Sequence, residues 1–201
     1  ELNSAVGAVG ELFAIRRELF EEVETDTILD DFIISLRIAQ KGYKIAYTPY
    51  AYAEETASLN VKEELKRKIR ITAGGIQTMI RLKDLLNPFK YRMLTFQYIS
   101  HKVLRWTLAP FSLFLVFLLN LIIVWQSSAF NEWDFYTVFF YLQLFCYTLA
   151  AVGWFFENRK LRFKIIFLPY YFVSINYASI RGVFRFFRGK QTVNWEKSRR
   201  A

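Results

Sequence analysis

The chain has 201 residues, of which 54% are hydrophobic and 19% aromatic, and it carries a formal net charge of +9. Long uncharged runs in its C-terminal half indicate a membrane protein and argue against nucleic acid as the partner of the basic residues. With Cys146 as the only cysteine and His101 as the only histidine, the chain has neither an internal disulfide nor a zinc-binding Cys/His cluster. We interpret His101 as a residue of an interfacial helix rather than as a catalytic group.

The first predicted element is a helix that follows a glycine-containing turn. Gly7 and Gly10 indicate the turn, and the sequence AIRRELFEEV predicts a helix with Leu19 and Val23 on its apolar side.

The stretch ETDTILDDF contains the strongest candidates for chemistry. Asp30 and Asp31 open an apolar-periodic run that stops at Gly42, which predicts a helix with Gly42 at its C′ position. Asp26 and Thr27 are candidates for the N-cap. A carboxylate in the first turn lies at the positive end of the helix dipole, which favours its ionised form and suits a general base. The alternative is that both acids only form the start of a helix.

An alternating stretch follows this helix. Residues 43–48 predict a β-strand ended by Pro49, and residues 50–55 predict a second extended piece. Short strands around a helix predict a mixed α/β domain, of which the chain contains the later part.

The sequence VKEELKRKIRITAGGIQTMIRLKDLL predicts an amphipathic helix capped by Ser58 or Asn60. Gly74 and Gly75 either break this helix or let another backbone approach it closely.

Basic residues lie along the same helix. Arg67 and Arg70 are three residues apart and share one side, where their planar guanidinium groups suit a diphosphate. A solvated basic face and a membrane-surface helix are the alternatives.

The region that follows is apolar. Residues 88–105 mix aromatic and basic side chains and predict an interfacial helix, and residues 106–125 and 135–156 predict two uncharged membrane spans. The loop between the spans carries only acids, whereas basic segments lie on their other sides. The positive-inside rule therefore predicts a hairpin with its loop outside and the preceding domain in the cytoplasm.

Residues 165–180 form a shorter apolar segment with basic residues at both ends, within a helix predicted over residues 163–188. One crossing would place one basic cluster outside, so we favour an interfacial or re-entrant helix over a third span. Residues 189–201 are a basic tail that suits an anionic lipid surface.

In their order, the pieces GELFAIRRELF, ETDTILDDF, GYKIAYTPYAYAEE and KRKIRITAGGIQ resemble the second half of the catalytic domain of a membrane-bound family 2 glycosyltransferase. This group contains the cellulose, chitin and hyaluronan synthases. The family's Glu-Asp pair matches Asp30 and Asp31. Its Gln-x-x-Arg-Trp motif falls on Arg67, Arg70 and Ile71, and only Arg70 is unchanged.

The resemblance covers nearly the whole chain. It implies that residues 1–87 are the later part of a GT-A-type nucleotide-sugar transferase domain and that residues 88–201 form a membrane region. Nothing resembles the donor-binding half, because no apolar strand leads into an Asp-x-Asp metal motif. We therefore expect a longer protein whose missing N-terminal half binds most of a divalent metal, Mg or Mn, and we assign no metal ligand here.

The implied reaction is inverting sugar transfer from a nucleotide diphosphate to a glycan or lipid acceptor. Asp31 is the expected base, with Asp30 tuning its charge or binding a neighbouring group, and Arg67, Arg70 and Lys197 are expected to assist the leaving diphosphate. Arg67 and Ile71, where the motif has Gln and Trp, favour a transferase that adds one or a few sugars or a polymerase that holds its acceptor differently.

The resemblance also suggests two acceptor-side features. Gly10 corresponds to a glycine where the acceptor sugar enters, and Trp195 and Lys197 resemble the family's mobile gating loop. A plain basic tail is the alternative for the latter.

Two other functions stay open. A membrane-anchored binding or assembly protein would keep the fold after losing the chemistry. A channel or transporter component is disfavoured because neither span carries an ionisable residue.

Overall fold

The computed structural model describes residues 6–8, 10–56, 58, 60–127, 134–156 and 164–189. These residues form α1 (Asp30–Gln40), α2 (Val61–Arg81), α3 (Pro88–Tyr91), α4 (Met93–Tyr98), α5 (Leu104–Trp106), α6 (Leu108–Ser127), α7 (Phe135–Phe156) and α8 (Lys164–Phe187). Two 3-10 turns, Arg17–Leu19 and Lys83–Leu86, and a π-helical segment, Ile99–Val103, complete the regular structure of the described ranges.

The described ranges contain no β-strand, so the expected α/β fold of GT-A type is wrong for this part of the chain. Residues 43–48 and 50–55 have no regular structure, and Tyr47 and Tyr50 are 84% and 93% exposed. Alternation provides two faces, but a strand also needs a neighbouring strand to pair with its N–H and C=O groups.

The predicted helix after Gly10 is also wrong. Only the 3-10 turn Arg17–Leu19 forms there, and Leu12 and Phe20 remain about half exposed. A short helix is stable mainly when its apolar side packs against other elements, and this segment buries too little apolar surface.

Helix α1 ends as the sequence predicts. Gly42 follows the C-cap residue Lys41 with φ of +90°, a conformation that glycine adopts without strain. The predicted N-caps are wrong, because the N-cap is Leu29 and it makes no side-chain cap bond. Asp26 and Thr27 instead bind the side chain of Arg81 on α2.

Helix α2 begins at the Asn60 cap, as predicted. The Asn60 side chain accepts a 2.9 Å hydrogen bond from the backbone N–H of Glu63. Ser58, the alternative cap, donates its hydroxyl to the Glu64 carboxylate instead.

Gly74 and Gly75 do not break α2, and the groups that approach them are apolar side chains rather than another backbone. A Cβ on Gly74 would lie 2.5 Å from the side chain of Leu29, and one on Gly75 would lie 2.4 Å from the ring of Trp106. The glycine pair therefore sets how closely the start of α1 and the end of α5 pack against α2.

The hydrophobic core lies between α1, α2 and the segment that ends with α5. Its buried members are Phe32, Ile33, Leu36, Ile76, Met79, Leu82, Leu85, Tyr98 and Trp106. Because Phe32 directly follows Asp31, the core fixes the first turn of α1.

The single interfacial helix expected at residues 88–105 is instead a chain of short pieces. The backbone breaks at Arg92, whose φ is +45°, and again at Thr107 before α6. Tyr98 and Trp106 of this segment are buried in the core. Packing of these large aromatic groups, which the basic-aromatic pattern does not reveal, accounts for the departure from one regular helix.

Helices α6 and α7 are long and apolar enough to span a membrane. They pack antiparallel: the Tyr147 hydroxyl donates to the Leu113 carbonyl, and the Asn120 and Gln143 amides lie 3.2 Å apart. Most of their large apolar side chains face away from the rest of the protein.

Helix α8 packs against α7 with its N-terminal half and against α2 with its C-terminal half. A Cβ on Gly153 of α7 would lie 2.6 Å from Tyr170, and one on Gly182 of α8 would lie 2.6 Å from Thr72 of α2. The ring of Phe184 lies 6.4 Å from that of Phe111, in the first turns of α6. Since α6 begins and α7 ends at the same end of their hairpin, both halves of α8 contact that one end.

Candidate active site

The candidate site is built around the first turn of α1. Asp30 is exposed, whereas Asp31 is half-buried between the loop before α1 and helix α2. Both carboxylates lie at the N-terminal end of the helix, where the dipole favours negative charge.

Burial raises the pKa of the Asp31 carboxyl above its usual value, and the nearby acids Asp30 and Glu11 raise it further. A backbone hydrogen bond at Phe32 and the guanidinium of Arg70 act in the opposite direction. A carboxylate that holds its proton more tightly than an ordinary aspartate is a better general base near neutral pH.

Gly10 lies directly against this carboxylate. A Cβ at Gly10 would be 2.9 Å from Oδ2 of Asp31 and 3.2 Å from its Cγ. The structure thus brings together two predicted site residues that are separated by a long stretch of sequence.

Arg70 approaches the same carboxylate from α2. Burial lowers the pKa of its half-buried guanidinium, and the charge of Asp31 counteracts that decrease. A half-buried cation and a half-buried carboxylate therefore stabilise each other's charged forms.

Arg67 lies on the same side of α2 as Arg70, but its guanidinium already binds a carboxylate. Its Nε and Nη2 donate to the two carboxylate oxygens of Glu64, at 3.1 and 3.0 Å. Glu64 also accepts from Ser58 and lies 3.5 Å from Lys68. The guanidinium fork that the sequence assigns to a diphosphate thus holds a carboxylate instead.

Sequence reasoning missed Lys102, from the π-helical segment. Its amino group lies 5.2 Å from the ring centroid of Phe32 and 5.8 Å from that of Trp106. Tyr98 belongs to the same aromatic group, at 6.3 Å from Phe32, and burial raises the pKa of its hydroxyl. The four-residue spacing of Tyr98, Lys102 and Trp106 was the signal that they share one side of a helix.

Polar contacts attach the chain before α1 to α2. The Gln77 side chain accepts from the N–H of Ile28 at 2.9 Å and donates to the carbonyl of Asp26 at 2.8 Å. The Arg81 guanidinium binds Thr27 at 2.8 Å and also pairs with Asp26. These contacts place the start of α1, and with it Asp31, on α2.

Two predicted site residues, Trp195 and Lys197, lie outside the described residues. Within the described ranges, no three His, Cys, Asp or Glu side chains are arranged to hold a metal ion. The described residues thus do not fit a divalent metal, and we derive no step through one.

Comparisons with known proteins place the chain in a family. No match was found among the curated proteins, and none among the solved structures. A family model described as glycosyl transferase family group 2 matches residues 2–189. The chain therefore belongs to glycosyl transferase family group 2.

Proposed function

We propose that this protein catalyses inverting transfer of a sugar from a nucleotide-diphospho-sugar to a polysaccharide or lipid-linked acceptor, with Asp31 as the general base. The observation that carries the proposal is the position of Asp31: half-buried, against Gly10 and beside Arg70. Membership of the glycosyltransferase family supplies the reaction class.

In the proposed step, the acceptor hydroxyl gives its proton to the Asp31 carboxylate. The hydroxyl oxygen attacks the anomeric carbon from the face opposite the diphosphate, the bond to the diphosphate oxygen breaks, and the nucleoside diphosphate leaves. Asp30 keeps the pKa of Asp31 raised, and Arg70 offers positive charge to the departing phosphates.

The same proposal gives Gly10 a role. Its lack of a side chain leaves room beside the carboxylate, where an acceptor hydroxyl must approach within hydrogen-bonding distance of the base.

We further propose that the site lies at the cytoplasmic face of a cell membrane, which α6 and α7 cross as a hairpin. The apolar, exposed surfaces of both helices support this, together with the basic segments before α6 and after α7. Because both halves of α8 contact the same end of the hairpin, α8 suits an interfacial position beside α2.

Replacement of Asp31 by Asn in the full-length enzyme tests the proposed chemistry. We expect turnover to fall by about 10²- to 10⁴-fold, the usual cost of losing a general base, while nucleotide binding is retained. Asp84→Asn, at an exposed acid beyond the end of α2, is the matched control and should keep full turnover.

Retention of more than half of wild-type turnover by Asp31→Asn would remove Asp31 from the mechanism. Asp30→Asn should cost less than Asp31→Asn, and a larger loss would reverse the two roles.

The engagement of Arg67 by Glu64 favours a second candidate, a membrane-anchored binding or assembly protein with the same fold. One measurement distinguishes the two candidates. A binding or assembly protein would bind nucleotide-sugar without releasing nucleoside diphosphate, whereas a transferase would release it.

A further inference from the structure

Lys102 has an unusual environment for a lysine. It is half-buried, and its amino group lies near the rings of Phe32 and Trp106. These contacts stabilise a cation through the ring quadrupoles, but they do not neutralise its charge. Phe32 directly follows Asp31 on α1, so the cation lies near the first turn of that helix.

Among the described residues Lys102 makes no hydrogen bond and no salt bridge. Burial lowers the pKa of its ammonium group and Arg105 adds to this effect, while Asp31 opposes it from a distance. A half-buried ammonium group without a contacting anion retains hydrogen-bond donors that a ligand can use.

The environment of Lys90 differs from that of Lys102. Its amino group also lies near an aromatic ring, that of Tyr91 at 5.1 Å, but it is exposed and pairs with Asp84 at 3.8 Å. The two lysines share the aromatic contact and differ in burial and in the presence of an anion.

We propose that Lys102 binds a phosphate group of a substrate beside Asp31, an inference that rests on the proposed function of the site. Arg70 on α2 acts electrostatically on Asp31, and Asp31 acts in turn on Lys102 of the π-helical segment. Nε and Nη2 of the Arg67 guanidinium bind Glu64. Lys102 is therefore better placed than Arg67 to provide the positive charge that the sequence assigned to Arg67.

The phosphate can come from two sources. One is the diphosphate of the nucleotide-sugar, and the other is the phosphate of a lipid-linked acceptor. A lipid-linked phosphate suits the position of Lys102, because Lys102 shortly precedes Leu108, where the apolar helix α6 begins.

Binding measurements on the full-length protein in detergent micelles separate these sources. The probes are inorganic pyrophosphate and a polyprenyl monophosphate, and the variants are Lys102→Met, Lys102→Arg and the matched control Lys90→Met. Lys102→Met keeps an unbranched apolar side chain near both rings but removes the charge.

We expect Lys102→Met to weaken the binding of at least one probe about tenfold or more, as loss of a charge-assisted hydrogen bond does. Lys102→Arg should stay within about threefold of wild type, and Lys90→Met should bind both probes normally. Weakening for pyrophosphate alone assigns Lys102 to the donor, and weakening for polyprenyl phosphate alone assigns it to the acceptor. Weakening for both assigns it to a phosphate site that the two substrates use in turn.

A second measurement uses the wild-type protein and so does not depend on whether the variant folds. Amine acetylation followed by mass spectrometry should show Lys102 protected by one or both probes, with Lys90 modified equally in their presence and absence. Unchanged dissociation constants in folded Lys102→Met, or unchanged acetylation of Lys102 with both probes, would overturn the proposal. Both readouts measure binding and not turnover. They can show no effect of Lys102 while Asp31→Asn still abolishes turnover, and they can show phosphate binding by Lys102 while Asp31→Asn keeps its turnover.

Discussion

The region around α1 and α2 and the hairpin of α6 and α7 are held together by different means. The first has a buried core and side-chain hydrogen bonds between distant parts of the chain, such as that from Ile28 to Gln77. The second exposes most of its apolar side chains in the described ranges, and the Asn120–Gln143 amide pair is a polar contact between its two helices. Positioning a carboxylate needs specific polar contacts, whereas the exposed apolar surface of the hairpin suits the interior of a membrane.

The prediction with the largest expected effect concerns which residues of the two regions a reagent outside the cell can reach. In a Cys146→Ala background, single cysteines at Lys62 on α2, Asp134 before α7 and Arg188 after α8 are tested with a membrane-impermeant thiol reagent on intact cells. Only Asp134→Cys should react, because the proposed topology places the loop of the hairpin outside and α8 at the cytoplasmic face. All three sites should react after the membrane is permeabilised. Reaction of Arg188→Cys from outside would show that α8 crosses the membrane.

The second prediction disturbs the packing around Asp31. Gly10→Val should lower turnover by at least about tenfold, because its Cβ would lie 2.9 Å from the carboxylate oxygen and either displaces Asp31 or fills the space beside it. Ala46→Val, at an exposed position, is the control and should leave turnover unchanged. Normal turnover by Gly10→Val would show that an acceptor does not approach beside Gly10.

The third prediction compares one polar contact from each region. Gln77→Leu leaves the buried N–H of Ile28 without its acceptor, so the free energy of unfolding should fall by about 1–3 kcal/mol. Asn120→Leu should cost less, since polar pairs between membrane helices contribute about 0.6 kcal/mol on average. Thermal unfolding in one detergent measures both variants. A larger loss for Asn120→Leu would mean that the hairpin depends on its polar pair more than the site depends on Gln77.

The smallest effect concerns the acidic limb of the pH profile. In the proposed mechanism turnover needs ionised Asp31, and the raised pKa of Asp31 means that activity is lost, as pH falls, at a higher pH than for an ordinary aspartate. Asp30→Asn removes a negative neighbour, lowers the pKa of Asp31 and should move the limb to lower pH. Arg70→Gln removes a positive neighbour and should move it to higher pH.

The measurement is kcat/KM for the nucleotide-sugar against pH, with Asp84→Asn as a remote control whose limb should not move. Shifts of Asp30→Asn and Arg70→Gln in the same direction would contradict the assignment of the limb to Asp31.

The sequence by itself determined features that depend on neighbouring residues. Gly42 at the end of α1 and Asn60 at the start of α2 were recognisable because a positive φ and a capping side chain are local requirements. Helices α6 and α7 lie close to the predicted ranges 106–125 and 135–156, because a long uncharged run satisfies its backbone hydrogen bonds only within a helix. The family also followed from the order of several short motifs, which no single motif would have shown.

Only the tertiary structure decided what depends on residues far apart in the chain. The alternation at residues 43–48 predicted a strand, but no strand forms there, because a strand depends on pairing with another part of the chain and not on alternation alone. Gly10 could be named as a site residue, yet its contact with the Asp31 carboxylate exists only after folding. The spacing of Lys102 from Tyr98 and Trp106 places the three on one side of a helix, but its contact with the Phe32 ring exists only because Tyr98 and Trp106 are buried in the folded core.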